Sequence, residues 1–103
     1  MKEITTITGA WSDEANGWES EILTLTGDAW LEVALPSKGR IVIKKAEPAS
    51  PESGGTATET WPKALITRWA GPHFRIRLYG STPARRIKII TTDIPNTIQY
   101  ANI

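Results

Sequence analysis

Phe74-Arg75-Ile76-Arg77-Leu78-Tyr79 alternates apolar and polar side chains, so an extended backbone puts Phe74, Ile76 and Leu78 on one side and Arg75, Arg77 and Tyr79 on the other. That is the pattern of a strand with one buried face. The same two-residue period recurs along the chain. Leu23 and Leu25 oppose Ile22, Thr24 and Thr26; Leu31, Val33 and Leu35 oppose Trp30, Glu32 and Ala34; Ile41 and Ile43 oppose Arg40, Val42 and Lys44. No segment keeps apolar residues at helical spacing over the roughly ten residues a helix needs. β-branched Ile, Val and Thr dominate the periodic stretches, where their stiff side chains suit a pleated surface.

Turn residues divide these segments. Asn16-Gly17 predicts a type I′ turn, and Gly27-Asp28 reads as the two-residue link of a tight hairpin over residues 21–35. Pro36 to Gly39 makes the next turn. Gly71-Pro72, Ser81-Thr82-Pro83 and Ile94-Pro95-Asn96 separate segments at 64–69, 74–80, 85–92 and 97–103. Strands at intervals of about 8 to 12 residues, about seven or eight in all, predict a single antiparallel β-sandwich, with Ig-like and jelly-roll topologies both open. With 103 residues the chain holds one core, hence one domain over 1–103. Residues 47–62, rich in Pro, Ser, Gly, Thr and Glu, break the period and read as a long flexible loop, either a binding excursion or a tolerated insertion.

The residue inventory is poor in reactive groups. There is no cysteine, which removes disulfides and thiolate ligands, and His73 is the single histidine, too few for the usual zinc sites. Asp13 and Glu14 are adjacent, and Glu19 and Glu21 could share a face, but neither spacing defines the separation that paired acid catalysis requires. Neither a phosphate-binding glycine loop nor a dinucleotide fingerprint occurs. The expectation is a non-enzymatic protein without catalytic residues, metal or cofactor. The N-terminal stretch lacks the apolar core of a signal peptide, and no run approaches the roughly 20 apolar residues of a membrane span, so synthesis in the cytoplasm and no membrane span are expected.

Charge is unevenly placed along the chain. Up to Pro36 one basic residue, Lys2, stands against seven acidic ones (Glu3, Asp13, Glu14, Glu19, Glu21, Asp28, Glu32), while the rest carries eleven basic residues against four acidic. Acidic strands lying beside basic ones, or head-to-tail contact between subunits, would satisfy such a split. If 74–80 pairs with 85–92 through the turn between them, Arg75, Arg77, Arg86 and Lys88 form one basic face. Like charges on neighbouring strands cost roughly 0.2 to 1 kcal/mol per pair. Solvent and salt, the acidic strands, or an anionic partner would have to offset that repulsion. Nucleic acid is not expected as that partner, because net charge is only +1 and no RNA-binding aromatic motif occurs.

Five tryptophans in so short a chain are a surplus. Trp30 lies opposite the apolar row of its strand, and Trp11, Trp18 and Trp61 lie in or beside turns. Large rigid rings at such positions suit a protein interface or a sugar-stacking platform, whereas Trp30 and Trp69 could equally fill the core or cap sheet edges. The leading expectation is a structural or assembly protein with protein partners. It would form a homo-oligomer or act as a small accessory subunit of a larger particle such as a phage virion (capsid, head-fibre or tail-associated), a comparison made at the level of fold alone. The alternative is a carbohydrate-binding β-sandwich in which two or three of Trp11, Trp18, Trp30 and Trp61 stack on sugar rings while Asp13, Glu14 or Asn16 bond hydroxyls.

Overall fold

The computed structural model describes residues 3–45, 47–48, 59–61, 64–80 and 85–103. The strands are β1 (Ile4–Thr6), β2 (Gly9–Ser12), β3 (Gly17–Ser20), β4 (Leu23–Leu25), β5 (Ala29–Ala34), β6 (Gly39–Lys45), β7 (Glu47–Pro48), β8 (Glu59–Thr60), β9 (Ala64–Ala70), β10 (His73–Leu78), β11 (Arg85–Thr91) and β12 (Thr97–Asn102). Ten of them build a β-sandwich of two antiparallel sheets. One runs β1-β12-β5-β10; the other runs β2-β3-β11-β6-β9, with β4 also paired to β11.

Alternation places the core as the sequence predicts. Leu31 and Val33 of β5, Ile41 and Ile43 of β6, and Ile87 and Ile89 of β11 interleave between the sheets, joined by Leu23, Leu25, Leu35, Leu78 and Ile98. Each fully buried aliphatic side chain stabilises the fold by about 1.5 to 3 kcal/mol relative to exposure. Phe74 and Ile76 of β10 pack against this core from an edge and stay half-buried.

Three local readings are corrected. The hairpin over 21–35 does not form, because β4 pairs with β11 in one sheet and β5 with β10 and β12 in the other. Gly27-Asp28 instead carries the chain across the sandwich. At this corner the Gly27 backbone packs so closely on Gly80 that a side chain on Gly80 would collide with it. The Asp28 carboxylate then accepts the Gly80 N–H at 3.1 Å. Likewise β10 and β11 are not neighbours: β10 lies beside β5, and β11 lies between β3 and β6 in the opposite sheet. The Asn16-Gly17 turn is a four-residue connection rather than type I′. Asn16 donates its N–H to the Asp13 carbonyl at 3.2 Å, the Ser12 hydroxyl accepts the Ala15 N–H at 3.2 Å, and Asn16 takes the left-handed φ of 53°.

The strand count exceeds expectation partly because the stretch from Gly17 to Leu25 is interrupted. Along β11, Glu19 faces Ile90 and Trp18 faces Thr91, but Leu23 faces Ile87 and Leu25 faces Arg85, a shift of one residue. The extra residue makes a bulge at Ser20 to Ile22 and reverses the parity of the buried positions, from Trp18 and Ser20 to Leu23 and Leu25. Within 47–62, β7 and β8 pair with each other and prolong the β6–β9 hairpin at the base of the expected loop. Its remainder, 49–58 and 62, lies outside the described residues.

Candidate interaction surface

Pairing in the four-stranded sheet sets Arg75 opposite Glu32 and Arg77 opposite Trp30 on its outer face. Arg75 Nε lies 3.4 Å from Glu32 Oε1, and its guanidinium sits 4.4 Å from the centre of the Trp30 ring. Gln99 donates to the other Glu32 oxygen at 3.5 Å. Arg77 Nη2 reaches Asp28 Oδ2 at 2.8 Å, and its guanidinium lies 5.3 Å from the Tyr79 ring centre. The Asp28 carboxyl is held below its ordinary range, first by the hydrogen bond from Arg77 and then by that from Gly80; the same bond to Asp28 raises the Arg77 guanidinium further. These cations are balanced by acidic neighbours from the N-terminal third. The acidic-beside-basic reading of the charge split therefore holds at these positions.

In the six-stranded sheet Lys88 Nζ pairs with Glu19 at 2.9 Å and lies 4.6 Å from the Trp61 ring centre. Arg86 is on the same strand as Lys88, so the four basic residues expected on one face are divided between two sheets, Arg75 and Arg77 on one and Arg86 and Lys88 on the other. The reason is the altered pairing of β10, which makes β5 its neighbour.

The tryptophans are similarly dispersed. Trp18 is a core residue, 6% exposed, because the bulge places even-numbered positions of β3 inward, and its ring covers Gly9, where no side chain would fit. It offers nothing to a partner. Trp11, directly opposite Trp18 on edge strand β2, is 50% exposed and donates its indole N–H to Asp13 at 3.2 Å. Trp30 and Trp61 are half-buried beneath Arg75 and Lys88 respectively. Trp30 belongs to the four-stranded sheet, whereas Trp11 and Trp18 are a register pair in the six-stranded one, of which one ring is buried. Trp69, on an edge strand, does not fill the core: it is the most exposed of the rings whose burial is described, at 66%. It stands opposite Arg40 on edge strand β9, and the two border a shallow depression with Val42, Ile90, Thr92 and Asn16.

Part of the remaining charge is grouped along the sheet edges. Glu3 precedes β1, Asp13 and Glu14 lie in the β2–β3 turn, and Glu21 sits beside Thr8, whose N–H it accepts at 3.3 Å; all four are exposed on the β1–β2 side. Arg40, Lys44, Lys45 and Arg68 occupy β6 and β9 at the far edge of the six-stranded sheet, and among the described residues none of these four has an ion-pair partner. Among the described residues no group of three or more His, Asp or Glu side chains converges on a point, and His73 is exposed at the start of β10. No described helix is long and apolar enough to cross a membrane. Comparison of the chain with protein-family models, curated proteins and solved structures finds no match.

Proposed function

We propose that the protein is a non-enzymatic assembly module whose copies associate head to tail through oppositely charged edges, and that it serves as a small accessory subunit of a larger particle such as a phage virion. The observation that carries this reading is the distribution of charge left after the internal ion pairs are made. Glu3, Asp13, Glu14 and Glu21 lie on the β1–β2 side and Arg40, Lys44, Lys45 and Arg68 on β6 and β9, with Glu47 and Glu59 beyond them on β7 and β8, and Trp69 with Val42 and Ile90 adds apolar area beside the cations. A rigid ring next to an arginine is a common anchor at protein interfaces. Opposite-sign patches steer association and fix its register, and exposed pairs weaken as salt rises. A contact between two different patches is heterologous and extends into rings or filaments, as assembly requires.

Light scattering after gel filtration tests this. The protein should exceed the monomer mass at low salt and approach it at high salt. Arg40→Glu with Arg68→Glu should be monomeric at low salt, and mixing with Asp13→Lys, Glu14→Lys protein should restore association. A protein that stays monomeric at high concentration and low salt defeats the reading.

A second reading, glycan binding, is supported by the depression beside Trp69, which the exposed indole lines together with Arg40, Asn16 and Thr92. Quenching of tryptophan fluorescence by a panel of sugars, lost on Trp69→Ala, is its expected signature; absence of any response removes it.

A further inference from the structure

Among the described residues, β2 and β9 close the two borders of the six-stranded sheet, and each turns backbone groups outward. Glu21 donates its N–H to the Thr8 carbonyl at 2.8 Å. Antiparallel alternation then makes Ala10 and Ser12 face β3, while Gly9 and Trp11 turn their N–H and C=O groups away from it. At the other border the Thr92 N–H donates to the Arg40 carbonyl at 3.1 Å, which fixes Arg40 and Val42 as the positions of β6 that bond β11. Ile41 and Ile43 therefore bond Arg68 and Ile66 of β9, and the backbone of Thr67 and Trp69 faces outward.

The side chains at these borders are equally incomplete. Residues opposite each other on paired strands share a face, so Trp11 stands on the core side with Trp18, and Arg68 on the core side with Ile41. Trp18 and Ile41 are buried, yet Trp11 is 50% exposed and Arg68 is exposed as well. An uncovered ring at one border and a cation at the other thus point to the same side of one sheet. Asp13, which accepts the Trp11 indole N–H, adds a negative charge beside the ring.

Four antiparallel pairings lead from β2 to β9, so the two strands run in the same direction. A second copy in the same orientation therefore brings its β2 to β9 as a parallel neighbour. A residue in a parallel pair bonds the two that flank the one it faces. With Trp11 opposite Arg68, the Trp11 N–H meets the Thr67 carbonyl, the Trp11 carbonyl meets the Trp69 N–H, and the Gly9 carbonyl meets the Thr67 N–H. Each of these bonds uses a group already turned outward.

We propose that the copies join by strand addition, β2 of one extending the six-stranded sheet of the next at β9, with the Trp11 ring against the Arg68 guanidinium and Asp13 beside it. The proposal rests on the head-to-tail association above and names the contact that makes it. Strand addition supplies affinity through main-chain bonds and register through side chains, here a cation on a ring. Two β9 strands are poor partners for each other, because bonding Thr67 to Trp69 of a second β9 sets the two Arg68 side chains directly opposite. At β10, an open border of the other sheet, Arg75 and Arg77 are already balanced by Glu32 and Asp28.

Hydrogen exchange of the full chain, associated at low salt and dissociated at high salt, tests the contact. The Trp11, Thr67 and Trp69 amides should exchange roughly tenfold or more slowly at low salt, with the Arg75 and Arg77 amides unchanged. The chain has no cysteine, so Ala10→Cys with Thr67→Cys puts one thiol on each border. A short bismaleimide should link this double variant into a covalent ladder at low salt but not at high salt, and Ala10→Cys with Arg75→Cys should give none. Association without slowed exchange at Trp11, Thr67 and Trp69, or an equal ladder from the Arg75→Cys protein, overturns strand addition and leaves the charged-edge reading standing. A protein that is monomeric at high concentration and low salt defeats both.

Discussion

The hydroxyl of Ser20 accepts the backbone N–H of Ile89 at 2.8 Å and donates to the Glu21 carbonyl at 2.8 Å. It thereby replaces a ladder bond that the bulge between β3 and β4 removes, at a buried position where water cannot substitute. Ser20→Ala leaves the Ile89 N–H unsatisfied and should destabilise the protein by about 1 to 3 kcal/mol. Urea denaturation reads the loss, and hydrogen exchange at the Ile89 amide should accelerate more than at Ile43.

Asp28 ties the β4–β5 corner to β10 through Arg77 and Gly80, and its main-chain carbonyl accepts the Ile103 N–H at 2.9 Å. Its folded pKa is lowered, so the stabilisation is present above the unfolded pKa and is lost as pH falls through the folded one. The urea midpoint should therefore drop on acidification from about pH 5 downward. Asp28→Asn should start lower at neutral pH and show a shallower decline; parallel acid limbs for the two proteins would contradict the assignment.

Gly9 lies under the Trp18 ring, and a Cβ added there would also strike the Glu19 carbonyl. Because the opposing atoms include backbone and a buried indole, neither side yields easily. Gly9→Ala should cost about 1 to 3 kcal/mol, the usual range for overpacking. A broadened or shifted Trp18 indole resonance should accompany the change, while Gly27→Ala, which meets open space, should leave that resonance unmoved.

Arg75 and Glu32 are both substantially exposed, so their ion pair contributes little despite its stacking on Trp30. A double-mutant cycle with Arg75→Met and Glu32→Gln should give a coupling of about 0.2 to 1 kcal/mol that shrinks with added salt. A salt-independent coupling above that range would mean that the pair is shielded from solvent.

Buried faces were legible wherever one strand kept its period: Leu31 with Val33, Ile41 with Ile43, and Leu23 with Leu25 all point inward as alternation requires. Partner choice was not. Periodicity says which face of a strand is apolar but not which strand lies beside it, so two short connections, Gly27-Asp28 and the link from β10 to β11, read as hairpin turns when both cross between sheets. Trp18 was misplaced for a related reason. Its parity is opposite to that of Leu23 and Leu25, and only an inserted residue between them lets all three face the core. The spacing of Trp18, Ser20, Leu23 and Leu25 was the available signal. The exposure of Trp69 follows from the edge position of β9, which only the sheet order reveals.

In the four-stranded sheet β1 and β5 are not paired; β12 lies between them and bonds to both. During translation, residues 4–6 and 29–34 must therefore wait for residues 97–102 to emerge before either side of that slot is filled. Such distant pairing makes for slow folding, and until it is complete the nascent chain exposes two unpaired strand borders that a chaperone, or another copy still on its ribosome, could occupy.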